Sequence, residues 1–310
     1  MDSSIHASAL AADYMGRLEG PPKPPDAASA GAPTRRVWRQ LWRRKTAVLG
    51  LLLAAAVLLG AALAPVIAPA DPLAMSPRRF ALPSGLAWFG TDQFGRDLLS
   101  RLLYGARVSM IVSFSAVALA AVVGGTAGLF AGFFEGKLDQ ILMRAVDVLM
   151  AFPTLLLALA VVATFGASTS NLILAITLAY VPIFSRIVRG SVLSVKQNDF
   201  IAASRALGAG DIRLMLRAIL PNVLAPVIVQ ATFNLSTAIM IEAALSFLGL
   251  GVQPPAASWG SMLSEARGFM ELDPWLAVAP GIAITTAVLG FNLFGDGLRD
   301  ILDPRPAGDR

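Results

Sequence analysis

Residues 199–222 read DFIAASRALGAGDIRLMLRAILPN, a charged, glycine-punctuated stretch between two long apolar runs. Asn198 or Asp199 is suited to cap a helix start. Phe200, Ala203, Ser204 and Leu207 follow on one helical face. Gly208 and Gly210 permit a stop and a sharp turn. Asp211 then opens a second helix with an apolar stripe of Ile212, Met215, Leu216 and Ile219. Arg213 and Arg217 lie one turn apart on another side. Pro221 starts the apolar run that follows, where a missing N–H costs least. The stretch is thus a helix–turn–helix tied directly to an apolar helix on each side. Two physical readings stand. It is either an amphipathic element resting on lipid, or a docking element whose first short helix fills a groove on a partner.

The flanking runs set the fold class. The chain has 310 residues, of which 56% are hydrophobic and only 15% charged, whereas soluble domains are roughly half apolar and about a quarter charged. A spanning helix needs about 20 mostly apolar residues. Runs near 46–68, 108–133, 141–166, 169–190, 222–247 and 275–297 meet that length. The prediction is an all-α polytopic membrane protein with six transmembrane helices. The runs are continuous, not alternating, which argues against a β-barrel. Cysteine is absent and His6 is the single histidine. This leaves little material for thiol or imidazole catalysis or for a metal site. The net charge of +5 is read as a topology signal, with no nucleic-acid partner.

Residues 1–34 are rich in Ala, Pro, Ser and Gly and read as a flexible tail. The segment 35–68 joins RRVWRQLWRRK, with Trp38 and Trp42, to the first span. That span is too long for a signal-peptide core. Residues 69–107 form an outward loop, 108–305 a five-helix core, and 306–310 a C-terminal tail. With both termini in the cytoplasm, nineteen of the 25 Lys and Arg lie inside and six outside, the expected bias. Loop 69–107 carries five of those six, with Asp92 and Asp97 among them as internal partners.

Ala116, Ala120, Gly124, Gly128, Gly132 and Gly136 recur every four residues. On a helix they make a narrow stripe that lets two backbones approach closely in lipid. The stripe serves either internal packing or contact with a second membrane subunit. Glu242 lies within the fifth span, and a buried ionisable group there is a functional candidate. It either lines or gates a path, or holds structure through an internal partner such as an outward arginine or a backbone donor. Pro153 and Pro182 interrupt spans and are candidate hinges. Asp147 is expected to be solvated or paired with Arg144 or Arg186, and Asp296, Arg299, Asp300 and Arg305 to form a charge cluster. Trp88, Trp259 and Trp275 suit an outer interface belt.

The stretch 202–222 resembles the EAA loop of ABC-importer membrane subunits, matching at Ala203, Gly208 and Leu220–Pro221. Ala202 stands where that pattern has glutamate, and Ser204 replaces its second alanine. FGTDQFGRDLLSRLLYGARVSM (89–110), LMRAVDVLMAFPTLLLALA (142–160), EAALSFLGLGVQPPAASWGSMLSEAR (242–267) and GDGLRDILDPR (295–305) are similar to the C-type subunit of dipeptide, oligopeptide and nickel permeases. The resemblance covers about residues 35–305. It implies a transport subunit of the cytoplasmic (inner) membrane, not an enzyme, importing di- or oligopeptides, or else nickel, glutathione or another small solute. It also implies a second homologous permease, two cytoplasmic ATPases and an external solute-binding protein. The coupling residues it implies are Ala202, Ala203, Arg205, Gly208, Asp211, Arg213, Arg217 and Pro221, in a cytoplasmic loop. The chain has no phosphate-binding G-x-x-x-x-G-K-[ST] loop, so ATP and Mg belong on the partner ATPases and this chain binds no cofactor. Two other classes make different demands on the sequence. A self-sufficient secondary transporter would show inverted repeats and midplane polar groups, and none is evident. A membrane-embedded enzyme would need clustered catalytic groups within the spans.

Overall fold

The computed structural model describes residues 44–302 apart from Leu86. The tail, the basic stretch with Trp38 and Trp42, Arg305 and residues 306–310 lie outside the described residues. Nine α-helices are described: α1 (Lys45–Ile67), α2 (Leu98–Phe134), α3 (Gly136–Met150), α4 (Thr154–Phe165), α5 (Thr169–Lys196), α6 (Asp199–Ala206), α7 (Asp211–Phe247), α8 (Trp259–Ala266) and α9 (Trp275–Leu302). α1, α2, α5, α7 and α9 are each long and apolar enough to cross a membrane. Residues 199–221 mark one end of the bundle, here the hairpin end. Residues 68–97 and 248–274 mark the other, the loop end.

Two of the expected spans change. The second span begins at Leu98, ten residues before 108. Asp97 caps it, its carboxylate accepting from the Ser100 N–H at 2.7 Å, so the arginines at its start lie on a helix and not in a loop. The third span, expected as one run over 141–166, is two helices, α3 and α4, bent by 88°. Pro153 stands at the break as the N-cap residue of α4, where its missing N–H breaks no helical bond. α3 is amphipathic and mostly exposed, and only Val146 is fully buried. Pro182 instead lies inside α5 and is buried.

The core is seamed by small residues. Ala116, Ala120, Gly124, Gly128 and Gly132 of α2 are all buried and face α5. A Cβ on Gly124 or Gly128 would meet the carbonyl oxygens of Val181 and Ser185, and one on Gly132 the Cβ of Val192 at 2.9 Å. Backbone approach this close gains dispersion contacts that lipid cannot offer. Gly136 leaves the stripe, because α2 ends at Phe134 and Gly136 opens α3. A second seam joins α1 to α9. Ala47, Gly50 and Ala54 of α1 lie against Gly297, Leu293 and Gly290 of α9. Arg44 and Asp300 pair at its hairpin end. The spacing of these α1 residues is helical, but leucines on every side hid it in the sequence.

Candidate functional site

The hairpin grows out of α5. Lys196, in the last turn, donates to the Phe133 carbonyl at 2.7 Å and to Glu135 at 2.6 Å. This fixes the end of α5 against the end of α2. Asn198 is the N-cap residue of α6, without a side-chain capping bond. Ile201 is the one buried residue of α6. It enters a small apolar cluster with Leu129, Phe133, Val188, Val192, Leu214, Met215, Ile219 and Val223. The hairpin thus has its own core, separate from the main one. Gly208 turns the chain at φ +83, in the left-handed region where side chains other than glycine are disfavoured.

Past the turn, the expected stripe is corrected. Residues Leu214–Ile219 form a π-helical turn, which is wider than an α-turn. Leu214, Met215 and Ile219 are buried, while Ile212 and Leu216 face outward. Pro221 follows in the first turn of the regular helix.

Ala202, Ala203, Arg205, Gly208, Asp211, Arg213, Arg217 and Pro221 are all exposed. Arg205 and Asp211 approach to 3.8 Å across the turn, an exposed pair worth little on its own. Leu207 is 89% and Ile212 71% exposed. The hairpin therefore presents apolar tips beside cations, which marks a surface for a partner or a lipid interface.

The loop end holds a polar network. Asp92 accepts from the backbone N–H groups of Phe94 and Arg96, each at 2.9 Å, and from Arg96 Nε at 2.6 Å. Arg96 and Arg101 both reach Glu265 of α8, at 2.6 and 2.9 Å. The Arg101 side chain is only 2% exposed. The arginines of segment 69–107 are thus partly paired as expected, but with Glu265 alongside Asp92. Asp97 is spent on the cap. Deeper in, Glu242 is fully buried and accepts from Ser246 at 2.8 Å. Its other oxygen, Oε2, has no hydrogen-bond partner among the described residues. Its internal partner is the Ser246 hydroxyl of its own helix, not an outward arginine or a backbone donor.

Residues 124–308 match the family described as binding-protein-dependent transport system inner membrane component. The chain belongs to this permease family. Residues 32–83 also match the N-terminal TM domain of oligopeptide transport permease C. The permease is 45% identical over 285 residues to the dipeptide transport system permease protein DppC of Alkalihalophilus pseudofirmus, covering 92% of this chain and 94% of that one. It is 43% identical over 282 residues to the di/tripeptide permease DppC of Pseudomonas aeruginosa (88% and 93% covered) and to the glutathione permease GsiD of Escherichia coli (89% and 92%). A chain of the inward-facing MetNI methionine ABC transporter shares the fold, with a TM-score of 0.55 at 19% identity, covering 65% of the permease and 96% of that chain. The permease is a multi-pass membrane protein and a transport component, not an enzyme.

The structure gathers the predicted coupling residues of the permease on one exposed hairpin. It places Glu242, Pro153 and Pro182 apart from them and from one another. Asp147 pairs with Arg186 at 2.7 Å, with both side chains half exposed. Trp259 is not a belt residue, since it is buried and its indole donates to the Leu102 carbonyl at 3.0 Å. Glu265 was not singled out by sequence reasoning, as no local pattern announces partners 164 and 169 residues away. Among the described residues, no group of three or more His, Cys, Asp or Glu is placed to hold a metal. Replacing Glu265 with Ala should destabilise the permease by an amount near the low end of about 1–3 kcal/mol, the cost of stranding a buried charged donor. Asp92, 3.5 Å from Arg101 Nε, still offsets part of the loss. Thermal unfolding in detergent reads the effect, and an unchanged midpoint would show the network to be dispensable.

Proposed function

We propose that this chain is the C-type permease subunit of an ATP-driven importer for di- or oligopeptides in the bacterial cytoplasmic membrane. Both termini are cytoplasmic, and so is the hairpin end. One further homologous permease completes the path, two ATPases carrying ATP and Mg dock at the hairpin ends, and an external binding protein delivers the peptide at the loop end. The observation that carries this reading is the hairpin, a rigidly rooted element whose apolar tips and cations all face away from its own bundle. A lipid-resting element would turn its apolar side toward the bilayer and its charges away. Here Leu207, Arg205 and Arg213 share the exposed surface. The dipeptide, di/tripeptide and peptide permeases among the relatives support the substrate class.

Glutathione is the second substrate reading, favoured by the GsiD relative at nearly the same identity. Uptake of labelled dialanine by vesicles holding the complete transporter decides between them. Competition by unlabelled di- and tripeptides supports the first reading, and competition by glutathione alone overturns it.

Arg213 and Arg217 lie one turn apart and exposed, facing where an ATPase would dock. Arg213→Ala with Arg217→Ala should weaken ATPase retention by about tenfold, or 1.4 kcal/mol. Quantitative co-purification checks this, and undiminished recovery would assign both arginines to lipid or internal contacts.

A further inference from the structure

We propose that the cavity between α5, α7 and α9 at the hairpin end is a peptide subsite: the carboxamides of Gln230 and Asn234 hold a peptide carbonyl at its inner end, and Arg299 takes the terminal carboxylate at its mouth. This rests on the proposed import of peptides and assigns residues of this chain to it.

The cavity has a volume of about 730 Å³, within the roughly 300–1,000 Å³ of small-molecule sites. α5 contributes Ser191 and Ser194 to its wall, α7 contributes Asn222 and Gln230, and α9 contributes Arg299. Arg299 is the one charged group among the described lining residues. The faces of α7 are sorted. Leu224 and Ile228 are 45% and 49% exposed and do not line the cavity. They suit lipid, whereas hydroxyls and carboxamides turned toward lipid are costly. A polar wall shared by two spanning helices thus marks the way of a polar solute.

The inner end offers donors. Gln230 donates to the Asn234 carbonyl oxygen at 2.8 Å. Asn234 is 4% exposed, and its amide nitrogen has no hydrogen-bond partner among the described residues. A buried donor is costly to leave unpaired, and a peptide carbonyl supplies the acceptor. Nearer the mouth the wall offers an acceptor. Pro226 lies inside α7 and has no N–H for the Asn222 carbonyl four residues back, which is thereby left for a peptide N–H. Arg299 is exposed, and its guanidinium fork matches a carboxylate.

The spacing fits the ligand. Gln230 lies eight residues past Asn222, about 12 Å along a helix. An extended tripeptide reaches about 10 Å at roughly 3.5 Å per residue. These groups address the peptide backbone and its terminus and leave the ligand's side chains unread, which suits a carrier of mixed peptides.

The test uses the whole complex with its ATPases in lipid nanodiscs, without nucleotide. The chain has no cysteine, so single thiols can be placed at will. Gln230→Cys and Ser191→Cys report the cavity, and Ile228→Cys reports the lipid side of the same helix as Gln230. Anionic and cationic methanethiosulfonate reagents probe them, with mass spectrometry of this chain as the readout. Gln230→Cys should react at least about tenfold faster than Ile228→Cys, where lipid excludes a charged reagent. Saturating dialanine should slow that reaction at least about threefold, the effect of a ligand at twice its Kd or more. Adding Arg299→Gln should lower the rate of the anionic reagent relative to the cationic one by about threefold, as the attraction of one nearby charge is lost. Ser191→Cys carries the test if Gln230→Cys does not assemble.

Dialanine uptake by the parent complex in vesicles separates the two readings. If dialanine is imported but the cavity thiols do not react, or react at the same rate with dialanine present, the subsite is overturned and the import reading stands. A parent that does not import dialanine overturns the peptide reading, and the subsite's occupant with it.

Discussion

Gly128→Ala should cost the permease much of its stability, and Gly128→Leu should leave almost none of it assembled. The Cβ at this position points at the Ser185 carbonyl oxygen, with Arg189 N and Val188 Cβ both at 3.0 Å. The obstruction is backbone on a 28-residue helix, so no rotamer change relieves it. α2 and α5 must separate, and the buried contacts of Phe184, Val188 and Val192 open with them. Overpacking costs about 1–3 kcal/mol, and the alanine variant belongs at the upper end. Gly125→Ala is the comparison. It lies on the same helix, but its Cβ meets only Val188 Cγ2, at 3.8 Å. Monodisperse recovery after mild extraction and the unfolding midpoint measure both. Equal stability of the two variants would contradict the α2–α5 packing.

Gly208→Val should abolish most transport without harming the bundle. A Cβ added there meets nothing within 4 Å, so the first atom of the new side chain is not resisted sterically. What resists it is the backbone. A residue at φ +83 loses about 1–2 kcal/mol in the left-handed region, and a β-branched one is especially disfavoured there. The hairpin relieves that strain by re-setting its turn, which moves α6 relative to α7. Uptake should fall by at least about tenfold, the effect of 1.4 kcal/mol, while insertion and recovery stay near normal. Gly210→Ala, at φ −71, should do far less. Normal uptake by Gly208→Val would remove the turn from the coupling account.

Much of the fold was legible because hydrophobic length is a direct statement about lipid. The spans at 46–68, 169–190, 222–247 and 275–297 needed only apolar runs, and α2's stripe needed only its period of four. The start of α2 was not legible. Arg101 and Arg107 lower the local hydropathy, and the glutamate that makes Arg101 burial tolerable lies 164 residues away. The break between α3 and α4 was half legible. Pro153 flagged it, but the apolar residues on both sides concealed a bend of 88°.

At the hairpin, the residues that face outward were read correctly as a helix–turn–helix, but its second stripe was misassigned. Ile212 and Leu216 belong to an α-helical pattern that the π-turn at Leu214–Ile219 overrides. A single extra backbone position per turn carries no sequence signature of its own. Glu242 was legible as unusual, since a carboxylate in a span always is. Its hydroxyl partner, Ser246 one turn on in the same helix, was not, because serine is too common to announce a role.

The most direct test of the central claim is mild detergent extraction of this permease from its native membrane, with mass spectrometry of all that accompanies it. The account predicts a second permease and ATPase subunits in the parent. The ATPases should be lost when residues 199–210 are scrambled in a chain that remains folded. A well-folded chain that emerges alone from several mild detergents would contradict it.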